Sequence, residues 1–295
     1  LKRSAFGCSY IAMLEIELSK EKFYIPENWS EVSVKRLPKL LESVFVSQAT
    51  PETYHQILRL TLGISDTTWG RFCYHYFRKD LPENTRKQNA EILHNLLMMV
   101  SWMWTEEMTT RPFDTVKVGT EEWVLFEENL TSMSFGELSD AYIHLLAFTK
   151  QLIEGDERLN HLIATICRPR KEGDYTQDPN WNGDHRIPYN AHAVKEMSKK
   201  AALLPEGTKV AIMVYFAGSV KQLFEQYDLM ETGVESVGED DYPGQGLIKN
   251  QHLLAEKGIF GNLDQTKQAN IHDVFLFLEE HRKDMKTQAE NQKSE

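Results

Sequence analysis

"SFGELSDAYIHLLAFTKQL" (residues 134–152) decides the fold class of this chain. It opens on Ser134 with Glu137 three residues on, the spacing at which Ser and Glu side chains cap each other's backbone at a helix start. Leu138, Tyr142, Leu145 and Phe148 then recur at steps of three or four residues and share one stripe. A strand would need a period of two. The stretch is therefore an amphipathic helix, and its grammar recurs through most of the sequence.

Upstream, "TPETYHQILRLTLG" (50–63) predicts a helix with Thr50 as N-cap, Pro51 in the first helical position and Gly63 as the stop. "SDTTWGRFCYHYF" (65–77) sets Trp69, Phe72, Cys73, Tyr76 and Phe77 on one face, and "NAEILHNLLMMVSWMW" (89–104) is apolar nearly all round, which predicts a buried helix. Its Met and Trp content suits a core, although flexible methionines also suit a groove for varied apolar partners. Downstream, a helix around 157–167 must end before Pro169.

Two pairs of extended segments interrupt the helices: "LEIEL" (14–18) with "KFYIP" (22–26), and "TVKV" (115–118) with "EWVLF" (122–126) around Gly119-Thr120. Each pair reads as a β-hairpin, either separate or joined in one sheet. The expected fold is mainly α with small β-hairpins and a helical bundle-like body. A parallel α/β sheet is not supported, because buried strand-like runs do not recur between the helices. "ENWSEVSVKRL" (27–37) and "ENLTSMSFGEL" (128–138) echo one another, each following an extended segment and leading into a helix. Duplication of a strand–cap–helix unit explains this, and so does convergence on a Ser N-cap.

The expected organisation is an upstream extension at 1–12, a hairpin-plus-helices domain at 13–167, a loop or linker at 168–190, a helical domain at 191–285 and a polar tail at 286–295. The formal net charge of −11 disfavours broad nucleic-acid binding. Cys8, Cys73 and Cys167 are far apart and form no CxxC pair, which suits reduced thiols in a cytosolic setting. The greasiest runs, 96–104 and 210–218, are about half the length a bilayer span requires, so no membrane partner is expected.

Chemistry-bearing residues concentrate in "DPNWNGDHRIPYNAH" (178–192). Asp-Pro, Asn-Gly and Pro188 mark turns, and Asn190 stands where an N-cap belongs ahead of "AHAVKEMSKKAALL". A structured surface loop pinned by Trp181 and Tyr189, to the body or to a partner, is the favoured reading. His185 and His192 are the candidate metal ligands, seven residues apart and without a marked third ligand. Asp184 and His185 could serve a hydrolase, but no GxSxG nucleophile elbow appears. Phosphate-loop, dinucleotide and EF-hand motifs are also missing, so no cofactor and no catalytic residue is expected.

Three further segments carry alternatives. "LTLGISDTTWGRF" has the length and central Gly of a helix-turn-helix with Arg71 and Arg78 nearby, although its aromatic stripe is core-like and favours a packed helical hairpin. "CRPRK" (167–171) and the acidic "ESVGEDD" (235–241) read as solvated loops. "NIHDVFLFLEEHRKDM" (270–285) starts at an Asn270 N-cap and aligns Ile271, Val274, Phe275 and Leu278, with Phe277 widening the stripe. That stripe either closes a core or docks on another subunit, which would make the protein a homo-oligomer.

Three segments together, "YIPENWSEVSVKRL" (24–37), "ILRLTLGISDTTW" (57–69) and "LLAEKGIFGNLDQTKQANIHDVFLFLEEHRK" (253–283), resemble phage tail-morphogenesis proteins. The likeness is to those that accompany a tape-measure protein as tail-assembly chaperones in phages of Bacteroidetes-type hosts. It implies a mostly helical, non-enzymatic protein that binds other phage proteins, in the host cytoplasm or in the virion. The chain is longer than typical chaperones of that class, which leaves a structural virion component as the alternative.

Overall fold

The computed structural model describes residues 13–18, 21–179, 181–227, 242 and 244–294. The extension at 1–12 with Cys8 and the acidic run at 235–241 lie outside the described residues. The fold is mainly α: eleven α-helices and two small antiparallel sheets, of two and three strands, among the described residues.

The chain divides into two compact units, Leu1–Pro112 with Glu206–Ala211, and Phe113–Pro205 with Ile212–Glu295. The break therefore falls after Pro112, and the linker expected at 168–190 is interior to the second unit.

In the first unit, β1 (Leu14–Leu18) pairs with β2 (Glu21–Ile25), Ile16 opposite Phe23. A short 3-10 turn (Trp29–Glu31) leads to α1 (Leu37–Phe45), α2 (Pro51–Leu62), α3 (Asp66–Phe77) and α4 (Glu83–Met99). Thr50 caps α2 by accepting from the Thr53 amide, and Gly63 ends it with φ 68°, the left-handed conformation that Gly adopts without steric cost. Two indoles stitch the unit over long range: Trp29 Nε1 donates to Glu106 O and Trp102 Nε1 to Pro26 O, both at 2.9 Å. Leu40, Leu41, Leu58, Val100 and Met103 fill the core.

The burial expected of 89–104 is corrected here. Only Asn89 and Leu96 of α4 are buried, and Ile92, Met98 and Trp104 are exposed. Nor is the α3 stripe core: it forms a half-covered seam against Ile92, Leu93 and Leu96, and no residue of α3 is buried.

In the second unit, β3 (Thr115–Val118), β4 (Glu121–Leu125) and β5 (Cys167–Pro169) form one antiparallel sheet in that order, separate from β1–β2. The helices are α5 (Phe135–Thr149), α6 (Glu157–Ile166), α7 (Ala191–Ala201), the later part of α8 (Glu206–Gln226), α9 (Gln245–Glu256), α10 (Leu263–Gln268) and α11 (Ile271–Ser294). α5 packs against α6, α9, α10 and α11. Helix α11 runs on to Ser294 through the expected polar tail, whose Ala, Gln, Glu and Lys are good helix formers.

Both echoed segments follow the second strand of a hairpin, pass through a 3-10 turn and lead to a helix. Only the second uses its Ser as expected. Ser134 Oγ accepts from the Glu137 amide, whereas Ser33 serves through its backbone carbonyl, which accepts from Arg36 and Leu37.

Candidate functional site

The knot at 178–192 folds back along the strand that ends α6. Ile187 N donates to Pro169 O at 2.9 Å and Lys171 N to His185 O at 2.8 Å, so 168–171 and 185–187 run antiparallel. This register sends Arg168 and Arg186 into the interior, where their side chains are 1% and 0% exposed. The basic run at 167–171 is thus no solvated loop: Cys167 and Arg168 are buried, and burial pushes the Cys167 thiol up to about 12.

Both guanidiniums converge on Glu137 in the first turn of α5. Its Oε1 accepts from Arg168 Nη1 at 2.7 Å and from Arg186 Nη1 at 2.6 Å. Arg186 also grips Asp184 through Nε at 2.8 Å and Nη2 at 3.0 Å. Remaining donors reach carbonyls: Arg168 Nε to Ile187 O at 2.9 Å, Arg168 Nη1 to Thr165 O, and Arg186 Nη1 to Ile166 O at 2.9 Å. Burial alone would lower the Arg186 pKa, but the Glu137 and Asp184 charges outweigh it and hold it above its usual value. Burial likewise works to raise the Asp184 pKa, and the Arg186 guanidinium reverses this and holds it below. All four groups are paired and hydrogen-bonded, the condition under which buried ionisable groups are tolerable.

The pairing explains why the capping pattern is only half used. Ser134 caps the Glu137 amide as expected, while the Glu137 carboxylate is diverted into the buried cluster. Beside it, Tyr189 Oη donates to Asp140 Oδ2 and the Arg168 guanidinium lies 5.7 Å from the Tyr189 ring centre. Burial first, then the Asp140 carboxylate, holds the Tyr189 phenol far above its usual pKa.

The two candidate histidines part company. His185 meets the Tyr175 hydroxyl at 3.0 Å through Nδ1 and packs on the Trp181 ring at 4.9 Å between centroids. His192 sits in the first turn of α7, where its amide donates to the Asn190 N-cap at 2.9 Å. Among the described residues, no three His, Cys, Asp or Glu side chains are grouped so as to hold a metal. The Asp184 carboxylate turns to Arg186, so the Asp184–His185 pairing a hydrolase would use does not form. Trp181 closes the loop on itself, its Nε1 donating to Asp184 O at 2.9 Å and its ring packing on Tyr175 and His185, whereas Tyr189 ties the loop to α5 through Asp140.

A polar cleft of about 680 Å³ opens over the cluster, lined among others by Glu137, Asp140, Lys171, Asn182, His192 and Lys267. The α11 stripe lies elsewhere. Ile271, Val274 and Phe275 are wholly buried, with Phe275 against the rings of Phe135, Phe224 and Tyr227, so they are core and not a docking face. Leu278 is half-buried.

Glu137, Arg168 and Arg186 were not singled out from the sequence as a cluster. The signal was slight: Arg168 lies between Cys167 and Pro169, and Arg186 precedes Ile187-Pro188, but polar residues flank both segments. Among the described residues, no helix is long and apolar enough to cross a membrane. No protein-family model, curated protein or solved structure matches the chain.

Proposed function

We propose that this protein works through contacts with other proteins, as a non-enzymatic assembly factor of the tail-morphogenesis kind its sequence resembles, in the host cytoplasm or the virion. The observation that carries this reading is α3, which has twelve residues including Trp69, Phe72, Tyr74, Tyr76 and Phe77 and buries none of them. Tyr74 is 70% exposed and Phe77 38%. Helices in proteins owe most of their stability to burying one face, so an aromatic helix left open is suited to a partner.

The partner we favour is an amphipathic helix of a long helical client such as a tape-measure protein, with acidic flanks. Arg71, Lys79 and Arg86 on and beside the α3–α4 hairpin have no carboxylate within ion-pair distance among the described residues, in a chain of net charge −11. The buried cluster supports a scaffold role for the second unit, since its carboxylates and guanidiniums are taken up by one another.

The test is co-expression with the product of a neighbouring, very long, helix-rich reading frame. The variant Tyr74→Asp should stay folded and lose co-purification. Retained co-purification would sink the α3 assignment, and loss of self-association alone would make the partner a second copy.

A second reading keeps one specific observation in its favour. α2, the Gly63 turn and α3 have helix-turn-helix connectivity, and α3 exposes Arg71, Tyr74 and His75. A duplex-DNA shift at low salt that Arg71→Ala abolishes would move the proposal to a DNA-binding regulator.

A further inference from the structure

Three basic side chains meet between α5 and α6, away from the Glu137 cluster, with Asp156 and Glu157 the acidic neighbours at the start of α6. His144 on α5 and His161 on α6 have ring centroids 5.3 Å apart. Arg158, in the first turn of α6, donates from Nη1 to His144 Nδ1 at 3.4 Å, which casts His144 as a neutral acceptor. His161 Nδ1 donates to Glu157 O at 2.8 Å, which leaves Nε2 as the acceptor nitrogen of a neutral ring. Arg158 Nε is buried with no hydrogen-bond partner, and no carboxylate lies within ion-pair distance of that guanidinium among the described residues.

All three side chains are half-buried, so they are neither sealed in nor fully hydrated. A guanidinium with a dry, unmatched N–H lacks an acceptor, and leaving it unmatched is unfavourable. The first turn of α6 adds backbone donors, because its N-cap Asp156 makes no side-chain capping bond. A planar carboxylate would be satisfied by the arginine fork alone. A tetrahedral oxyanion has oxygens to distribute over the guanidinium, both imidazoles and the helix start.

We propose that Arg158, His161 and His144 form a binding site for a phosphate-class oxyanion at the start of α6. The site is independent of the protein-contact reading of α3. Its electrostatics fit: burial, then the His161 and Arg158 charges, push the His144 pKa down to about 4. An anion seated there would offset the Arg158 charge and favour a proton on His144.

The experiment titrates inorganic phosphate into the full chain at constant ionic strength, with chloride as the balancing ion. It is read by calorimetry and by the imidazole resonances of His144 and His161. Saturable one-site binding that shifts both histidines is expected, with affinity at least tenfold weaker in Arg158→Gln and weaker for acetate than for phosphate. Absence of saturable binding, unchanged affinity in Arg158→Gln, or acetate binding as tightly as phosphate would each overturn the assignment. Should Arg158→Gln fail to fold, Arg158→Lys keeps the charge and loses the fork. Its affinity should still fall several-fold, and an unchanged value would overturn the site.

Discussion

Arg186 and Glu137 stand 49 residues apart in sequence and meet at 2.6 Å in the interior, both side chains at most 2% exposed. Removing one partner of a buried pair strands the other charge, at roughly 3–5 kcal/mol. Glu137→Ala should therefore unfold the second unit or come close, as read by urea denaturation. Glu137→Leu combined with Arg186→Met leaves Arg168 facing Asp184 at 3.6 Å and should cost far less than the two single changes together. Additive losses would mean that the cluster is not an electrostatic unit.

Acid should weaken the fold before the carboxylates titrate. Burial first, then His161 and Arg158, push His144 from the usual 6.5 down to about 4. Between those values the unfolded chain binds a proton that the folded chain refuses. This contribution is complete above the unfolded pKa and is lost as pH falls through that window. Partial exposure limits it to about 1–2 kcal/mol. Asp184, held below its usual pKa, adds its own loss only at more acid pH. His144→Asn should flatten the dependence of the urea midpoint between pH 6.5 and 4, and an unchanged slope would count against the assignment.

Phe275→Asp and Tyr74→Asp should part. Phe275 is wholly buried among three rings, so a carboxylate there should cost more than about 3 kcal/mol and collapse the second unit. Tyr74 is 70% exposed and lies off the α3–α4 seam, so the same change should cost less than about 1 kcal/mol. Circular-dichroism melts of the two variants make the comparison, and equal losses would return α3 to the core.

Gly207 has no room for a side chain. A Cβ there would lie 2.0 Å from the Pro38 carbonyl oxygen, where the first turn of α8 crosses the start of α1. Backbone must shift to admit it, so Gly207→Ala should destabilise by about 1–3 kcal/mol despite its better helix propensity. A thermal melt at or above that of the parent would show that the crossing is loose.

What the sequence determined by itself is the local grammar. Thr50, Ser134 and Asn190 cap the helices they were expected to cap, Gly63 stops α2 in the left-handed conformation, and α6 ends at Ile166, ahead of Pro169. Both hairpins form within a residue or two of their expected limits. These features depend on hydrogen bonds and side-chain spacing within a few residues, which a sequence states directly. The tertiary structure decided everything that rests on which apolar face finds cover. The α4 stretch, apolar nearly all round, stays largely open, while the α11 stripe closes a core. Apolar content alone predicts the reverse order of burial, and only the packing decides it. The same holds for Glu137, which a capping pattern assigns to its own helix end. Two arginines 31 and 49 residues away claim its carboxylate because, once buried, a guanidinium needs a carboxylate more than a helix end does.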